Sequence, residues 1–575
     1  MKLNIKQHHI IVNHYKRLLI ILSLLVPFIL SAQVQELNTV EEVTVIAPFN
    51  PSIRKANKLN FTPILDTNQA NKLKIDYLTT PKLFNINYTL ETMEAAKFID
   101  KRRPHYPQNI IKLGYGIYNT PYGEVFINDK ISRTSQVGIH FRHLSTSGNI
   151  KDVAYSGGGH TAAEVWTKHV HRKQTTNLNV NFKRNQVHQY GFNPEDYPLE
   201  YAATSHKFKN DINQVYSKTG ITLDMIGTFD TKYRNWRIET DYNFFWDHFN
   251  SQEHLLDIKA KYEVPVEWVK RKRQYAGMAF NTQSYHTSQS FKGLYPKIDS
   301  TQGYFHGLYE LSPYYAVEID NISLLLGAKI SAAIDSNAKF LITPLVKLSI
   351  GFMDNALRFY AHADGGITNN SLYSLSKENN FVSPVVPLKF STAKYHIQVG
   401  ISGHYETYLD YRVYIETARF TNMPMYITDT TSRFDNTFSV IYDDGQKFGV
   451  GTEMIFETKN WNVNLMAQYN SFTMDTASRA WQKPLFNYKL KASYFIFENI
   501  KVTGLIIGQA SMYNLYQGEQ KVKPWVDVSL LSTYYLNKQL GFFLNINNIL
   551  AQNYQLWYGY PVQGISIMGG VSFAF

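Results

Sequence analysis

The sequence predicts an all-β chain: a transmembrane antiparallel β-barrel of about 22 strands, preceded by an extended N-terminal segment punctuated by proline. Three observations carry that expectation. From about residue 109 onward apolar and polar residues alternate with a period of two, the repeat of a strand with two unlike faces. Long polar connections alternate with very short ones, as in barrels whose two rims face different compartments. The composition is rich in Tyr (41) and Phe (35), only 18% charged and free of cysteine, which suits strands and excludes a disulfide framework or a thiolate metal site.

In chain order, residues 1–32 read as a signal peptide. Lys2, Lys6, Lys16 and Arg17 precede the apolar run "LLIILSLLVPFIL", which ends in Ser31 and Ala32, with cleavage expected after Ala32. That apolar run is too short for a comfortable membrane helix, and no later stretch reaches the roughly eighteen apolar residues a helical span needs. Removing its four positive charges from the formal +12 leaves +8. The sign alone would permit nucleic-acid binding, but the basic residues are scattered and an exported chain rarely meets nucleic acid. The clusters Lys101–Arg103 and Lys270–Arg273 read as solvated turns.

Residues 33–108 form the second element. They contain no glycine and six prolines (Pro48, Pro51, Pro63, Pro81, Pro104 and Pro107), so turns needing positive φ would be hard to build there. An extended segment, periplasmic or luminal, is expected.

Residues 109–575 form the barrel. In "TNLNVNFK", Leu178, Val180 and Phe182 alternate with Asn177, Asn179, Asn181 and Lys183. In "FNYKLKASYFI", Phe486, Tyr488, Leu490 and Ala492 alternate with Asn487, Lys489, Lys491 and Ser493. Many such runs exceed the five or six residues usual in soluble sheets. Long polar connections fall near 146–160, 187–212, 288–302, 370–391 and 549–562. Short ones fall at Asp320–Asn321, Lys459–Asn460 and Glu498–Asn499. In hydrocarbon every backbone amide needs a partner, so the sheet must have no edge. The last strand, with Ile565, Ile567, Val571, Phe573 and Phe575 on one face and Ser566, Met568 and Ser572 on the other, is therefore expected to close on the first, near "NIIKLGYGIY".

The run "FFLNINNILAQNYQLWYGYPVQGISIMGGVSFAF" resembles the end of TonB-dependent receptors, matching at Asn547, Asn548, Tyr554, Pro561, Gly564 and Phe575. Upstream, "NNSLYSLSKENNF", "FGVGTEMIFETKNWNVNLMAQYN" and "KPLFNYKLKASYF" follow in similar order, so the likeness covers roughly the last 200 residues. The resemblance, of the Bacteroidetes type, implies an outer-membrane barrel. It also implies that the closing strand (Val571, Phe573, Phe575) is read by the barrel-assembly machinery. Within "EEVTVIAP", Glu42, Val43, Thr44, Val45, Ile46 and Ala47 resemble a TonB box, a segment offered to TonB as an added strand. Residues 33–108 depart from the family: they are shorter than its glycine-rich plug domain and lack glycine, so no plug is recognisable.

Catalytic and metal chemistry find little support. His169 and His171 share a strand face and His160 lies nearby, without the carboxylate a metal site wants. No Ser-His-acid spacing stands out, and "SGGGHT" (156–161) is not placed between a strand and a helix as a phosphate cradle would be. The expected location is the outer membrane. The expected partners are its lipid and lipopolysaccharide, the barrel-assembly machinery and TonB, with no nucleic acid and no cofactor. Three non-enzymatic readings follow: a ligand-binding transport receptor, a passive pore, and a membrane platform for periplasmic or surface partners.

Overall fold

The computed structural model describes residues 109–196, 206–228, 235–268, 273–290, 301–335, 338–497 and 499–575. Residues 1–32, expected to be a signal peptide, the 33–108 segment with the TonB-box-like stretch Glu42–Ala47, and the cluster Lys101–Arg103 lie outside the described residues. So do Lys270–Lys272 and Glu498.

Twenty-two strands form one continuous sheet in which neighbours in sequence pair antiparallel. The ring closes where it was expected to: Ile110–Gly116 pairs with Ser566–Ala574, from Ile110 opposite Ala574 to Gly116 opposite Met568. Strands about 4.8 Å apart and tilted by about 40° make twenty-two of them a ring about 44 Å across. Such a width leaves a lumen that side chains on the strands cannot fill.

Register shows why the alternation is so regular. Around the outside, Ile139, Val165, Val180, Ile221, Tyr242 and Leu256 stand side by side on six successive strands, and all are exposed. Around the inside, Asn177, Asp224, Glu239, Lys259, Asn281, Glu310 and Ser331 do the same on seven. An apolar belt against lipid and a polar wall against water are the two solvents of one sheet.

The strands differ in length, and the difference positions the candidate site. Crossing the apolar band takes about 9–11 tilted residues. Leu409–Thr428 and Phe438–Glu457 have 20 each, and Thr301–Ile319 has 19. Their excess lies at the end bearing the long connections, since at the other end they finish level with their neighbours at short turns such as Asp320–Asn321 and Lys459–Asn460. The overhanging strands carry apolar residues inward above the belt, and most of the buried apolar side chains lie there, at the long-loop rim.

Candidate functional site: the capped mouth and the luminal wall

The long connections are not merely polar coils. Residues 370–389 turn inward as a short helix, Leu372–Glu378, followed by an extended strap. Ser371 caps the helix, its Oγ accepting from Ser374 N at 3.2 Å. The buried carboxylate of Glu253, reaching from the wall, accepts from Leu372 N at 2.8 Å, Tyr373 N at 3.4 Å and Thr287 Oγ1 at 3.1 Å. These bonds satisfy helix-end amides that burial would otherwise leave without partners. Leu372 and Leu375, one turn apart, then face the same way as Val382 and Val386. They pack with Tyr216, Phe245, Tyr426, Phe438 and Tyr560. A fully buried side chain of this size contributes about 1.5–3 kcal/mol.

The strap is fixed to the walls by its backbone. Ser383 N donates to Phe438 O at 2.8 Å and Phe438 N to Phe381 O at 3.0 Å. Gln289 Nε2 donates to Val386 O at 2.9 Å, and the Tyr442 hydroxyl to Pro387 O at 2.8 Å.

A second layer comes from the 548–565 connection. Its hairpin, Gln555–Trp557 against Tyr560–Pro561, turns at Gly559 with φ +80°, where a side chain would also crowd the Gly191 carbonyl. The turn delivers Tyr560, 2% exposed, flat onto Phe381 with ring centroids 3.6 Å apart. The Tyr560 hydroxyl donates to Asn436 O, and Asn436 Nδ2 donates to Gln189 O at 2.5 Å. Phe192 stacks on Phe434 at 4.5 Å. Gln189 and Asn436 adjoin strands eleven positions apart in the ring of twenty-two, so these bonds cross the mouth. Burial pushes the Tyr190 and Tyr560 phenols well above their ordinary value, which keeps both neutral.

Besides Glu253, Asp247 is a second buried acid of the rim, and it makes the rim pH-sensitive. Asp247, after the strand Asn235–Trp246, accepts from Ser251 N at 2.8 Å and Gln214 Nε2 at 3.2 Å, yet burial pushes its carboxyl up to about 7. The folded state therefore binds this proton more tightly than the unfolded chain, where Asp titrates near about 3.9. Its contribution to stability is fullest below about pH 4 and declines as pH rises to about 7. Hydrogen exchange at the Ser251 amide is expected to accelerate over that window beyond its intrinsic rate, and Asp247→Asn to remove the excess.

Below the cap the wall is a charged lattice. Glu416 accepts from Lys447 Nζ at 2.6 Å, Gln468 Nε2 at 3.0 Å and His396 Nε2 at 3.2 Å, while His396 Nδ1 meets Asp364 at 3.1 Å. Arg237 Nε donates to Asp224 at 2.8 Å and Lys259 Nζ to Glu239 at 3.2 Å. Among the described residues no group of three or more His, Asp and Glu is arranged to hold a metal ion.

The closing-strand residues are placed on the outer face: Val571, Phe573 and Phe575 are 40%, 44% and 53% exposed, and Ser572 points inward opposite Lys112 and Gly541. His169 and His171 stack at 6.2 Å, with His169 Nδ1 against the Ser135 hydroxyl, while His160 stands apart on the inner wall. Glu42–Ala47 lie outside the described residues. Sequence reasoning missed the cap. Its local signal was the pair Leu372 and Leu375 after Ser371 inside a segment read as a polar loop, together with the aromatic run "YQLWYGY".

No family model matches the chain, and no curated protein matches it. Solved structures do, in fold. The pyoverdine outer membrane receptor FpvA from Pseudomonas aeruginosa PAO1, bound to pyoverdine, superposes with a TM-score of 0.62 at 12% identity over 82% of this chain and 79% of that one. The siderophore receptor PirA from Acinetobacter baumannii gives 0.61 at 8% identity, over 81% and 80%. The ferric-catecholate import receptor Fiu from E. coli K12 gives 0.60 at 11% identity, over 82% of both chains. The chain therefore has the fold of the outer-membrane β-barrels to which TonB-dependent siderophore receptors belong.

Proposed function

We propose that this protein is an outer-membrane receptor that captures a ligand at its long-loop rim and passes it through the barrel when TonB engages Glu42–Ala47. The observation that carries the reading is the cap: a ring of this width is built, and its mouth is then bridged by a packed aromatic layer. A passive pore gains nothing from that layer, whereas a receptor needs both recognition and closure. The likeness to siderophore receptors supports the same reading at the level of fold. In this reading the long loops face outward, residues 33–108 replace the plug of the Bacteroidetes-type receptor, and Phe573 and Phe575 serve the assembly machinery. Lipid and lipopolysaccharide surround the apolar belt.

Two experiments test it. Because the chain has no cysteine, single-cysteine variants report orientation cleanly. Gln517→Cys, at the exposed tip of the hairpin formed by Met512–Leu515 and Glu519–Val522, is expected to be labelled on intact cells, and Lys459→Cys only after the outer membrane is permeabilised. Labelling of Lys459→Cys alone would invert the topology. For the partner, strand addition depends on main-chain hydrogen bonds, which proline removes. Thr44→Pro is expected to abolish crosslinking to TonB and leave barrel assembly unchanged. Undiminished crosslinking would exclude Glu42–Ala47 as the contact.

A further inference from the structure

Many charges of the luminal wall are paired, while several inward lysines, among them Lys329, Lys347, Lys489 and Lys491, form no ion pair among the described residues; in one row two such lysines face each other directly. By register Arg142, Ala162, Lys183, Lys218 and Phe245 stand side by side on five neighbouring strands, immediately below the cap. Lys183 and Lys218 are thus directly opposite, a like-charge cross-strand pair that costs stability. None of Arg142, Lys183 and Lys218 forms an ion pair among the described residues, and none does for Lys377, which hangs from the cap helix close enough to act on Lys218. Elsewhere on the wall Lys112, Lys259, Lys261 and Lys447 each meet a carboxylate at 2.6–3.2 Å.

Three acids lie near the row, and none forms an ion pair with it: Glu164, the next inward residue below Ala162, accepts from the Asn179 amide. Glu124 stands opposite Arg142, but Lys112 at 2.8 Å, Tyr122 at 2.9 Å and His140 at 3.1 Å occupy its oxygens. Asp241 holds the Thr222 hydroxyl and acts on Lys218 only from a distance. Lys218 instead lies 4.8 Å from the ring centroid of Tyr373 on the cap.

Beside the row is a cavity of about 320 Å³ whose lining includes His160, Asn185, Gly158, Gly159, Asn547 and Gln563, and which contains no carboxylate. His160 and Asn185 are the next inward-facing residues above Ala162 and Lys183. The Asn185 amide donates to Asn380 of the strap at 3.1 Å, so the cavity lies directly under the cap.

We propose that this row and cavity bind a small multivalent anion carrying phosphate or carboxylate groups. The anion supplies the counter-charge that the wall lacks: its oxygens bridge the Lys183 and Lys218 ammoniums with Arg142 alongside, and the amides and His160 hold the remainder. Charge-assisted bonds of this kind repay the repulsion that the empty site carries. The transport reading explains how such a ligand would arrive, but binding to the purified barrel does not depend on it.

The test is calorimetry on the full-length protein in detergent at low salt, with pyrophosphate and citrate as probes. Lys183→Gln combined with Lys218→Gln is expected to weaken binding roughly tenfold or more, the loss of two charge-assisted bonds. Lys489→Gln combined with Lys491→Gln, two inward lysines on Phe486–Ile496, is expected to leave it unchanged. Thermal unfolding adds a readout of opposite sign: without anion Lys183→Gln is expected to raise the midpoint by relieving repulsion, while the stabilisation by anion seen in the wild type disappears. Binding of either probe with this pattern supports the site, and its preference tells phosphate from carboxylate. Equal weakening by the control pair, or no binding of either probe, would overturn the site without touching the receptor reading.

Discussion

Replacing residues 372–388 by a short Gly-Ser linker is expected to turn a silent barrel into a steady, large conductance in planar bilayers. The segment supplies Leu372, Leu375, Val382 and Val386 to the layer that crosses the mouth, and what remains beneath is a wide ring with a hydrated polar wall. A gentler change should act in the same direction. Glu253→Ala removes the acceptor for Leu372 N, Tyr373 N and Thr287 Oγ1, and a buried donor left alone costs about 1–3 kcal/mol. Cleavage by trypsin after Lys377 is expected to accelerate by roughly tenfold or more, while Glu253→Gln, which keeps an acceptor, changes it little. If removal of 372–388 produced no conductance, the barrier would lie in another segment, and 33–108 would be next to delete.

The second large effect is expected at the seam. Val571→Lys should reduce assembled barrel sharply, and Ser572→Lys should be tolerated. Val571 faces the lipid between Leu113 and Phe542, where a lysine costs about 2–4 kcal/mol at the bilayer midplane and less toward its edges. Ser572 faces water between Lys112 and Gly541. Heat-modifiable mobility on gels reads the folded fraction directly. Equal assembly of the two variants would mean that the faces of the closing strand are reversed. Loss of assembly in a Phe575 deletion, beyond what its lipid contact explains, would support the role in insertion proposed for the terminal aromatics.

The wall of this protein could be read from its residues alone. A strand repeats every two residues, so "TNLNVNFK" and "FNYKLKASYFI" each declare an apolar and a polar face without reference to any other part of the chain. The need to leave no edge in hydrocarbon then dictates that the ends pair, as Leu113 and Val571 do. Turn lengths fixed the strand count because each short connection is a local event. The cap could not be read in this way. Its parts lie at 189–193, 370–389, 429–437 and 554–561, and each taken singly is a polar or aromatic loop with no period. Only closure of the ring brings Gln189 to Asn436 and Tyr560 to Phe381, and only the overhang of the 20-residue strands gives those side chains a wall to pack against. The same holds for Lys183 and Lys218: each looks like an ordinary inward lysine on its own strand, and register alone sets them face to face. Local periodicity determined the barrel because the membrane imposes one rule on every strand. Tertiary structure decided the mouth and the cation row because contacts between distant segments depend on register and closure, which no single stretch of sequence encodes.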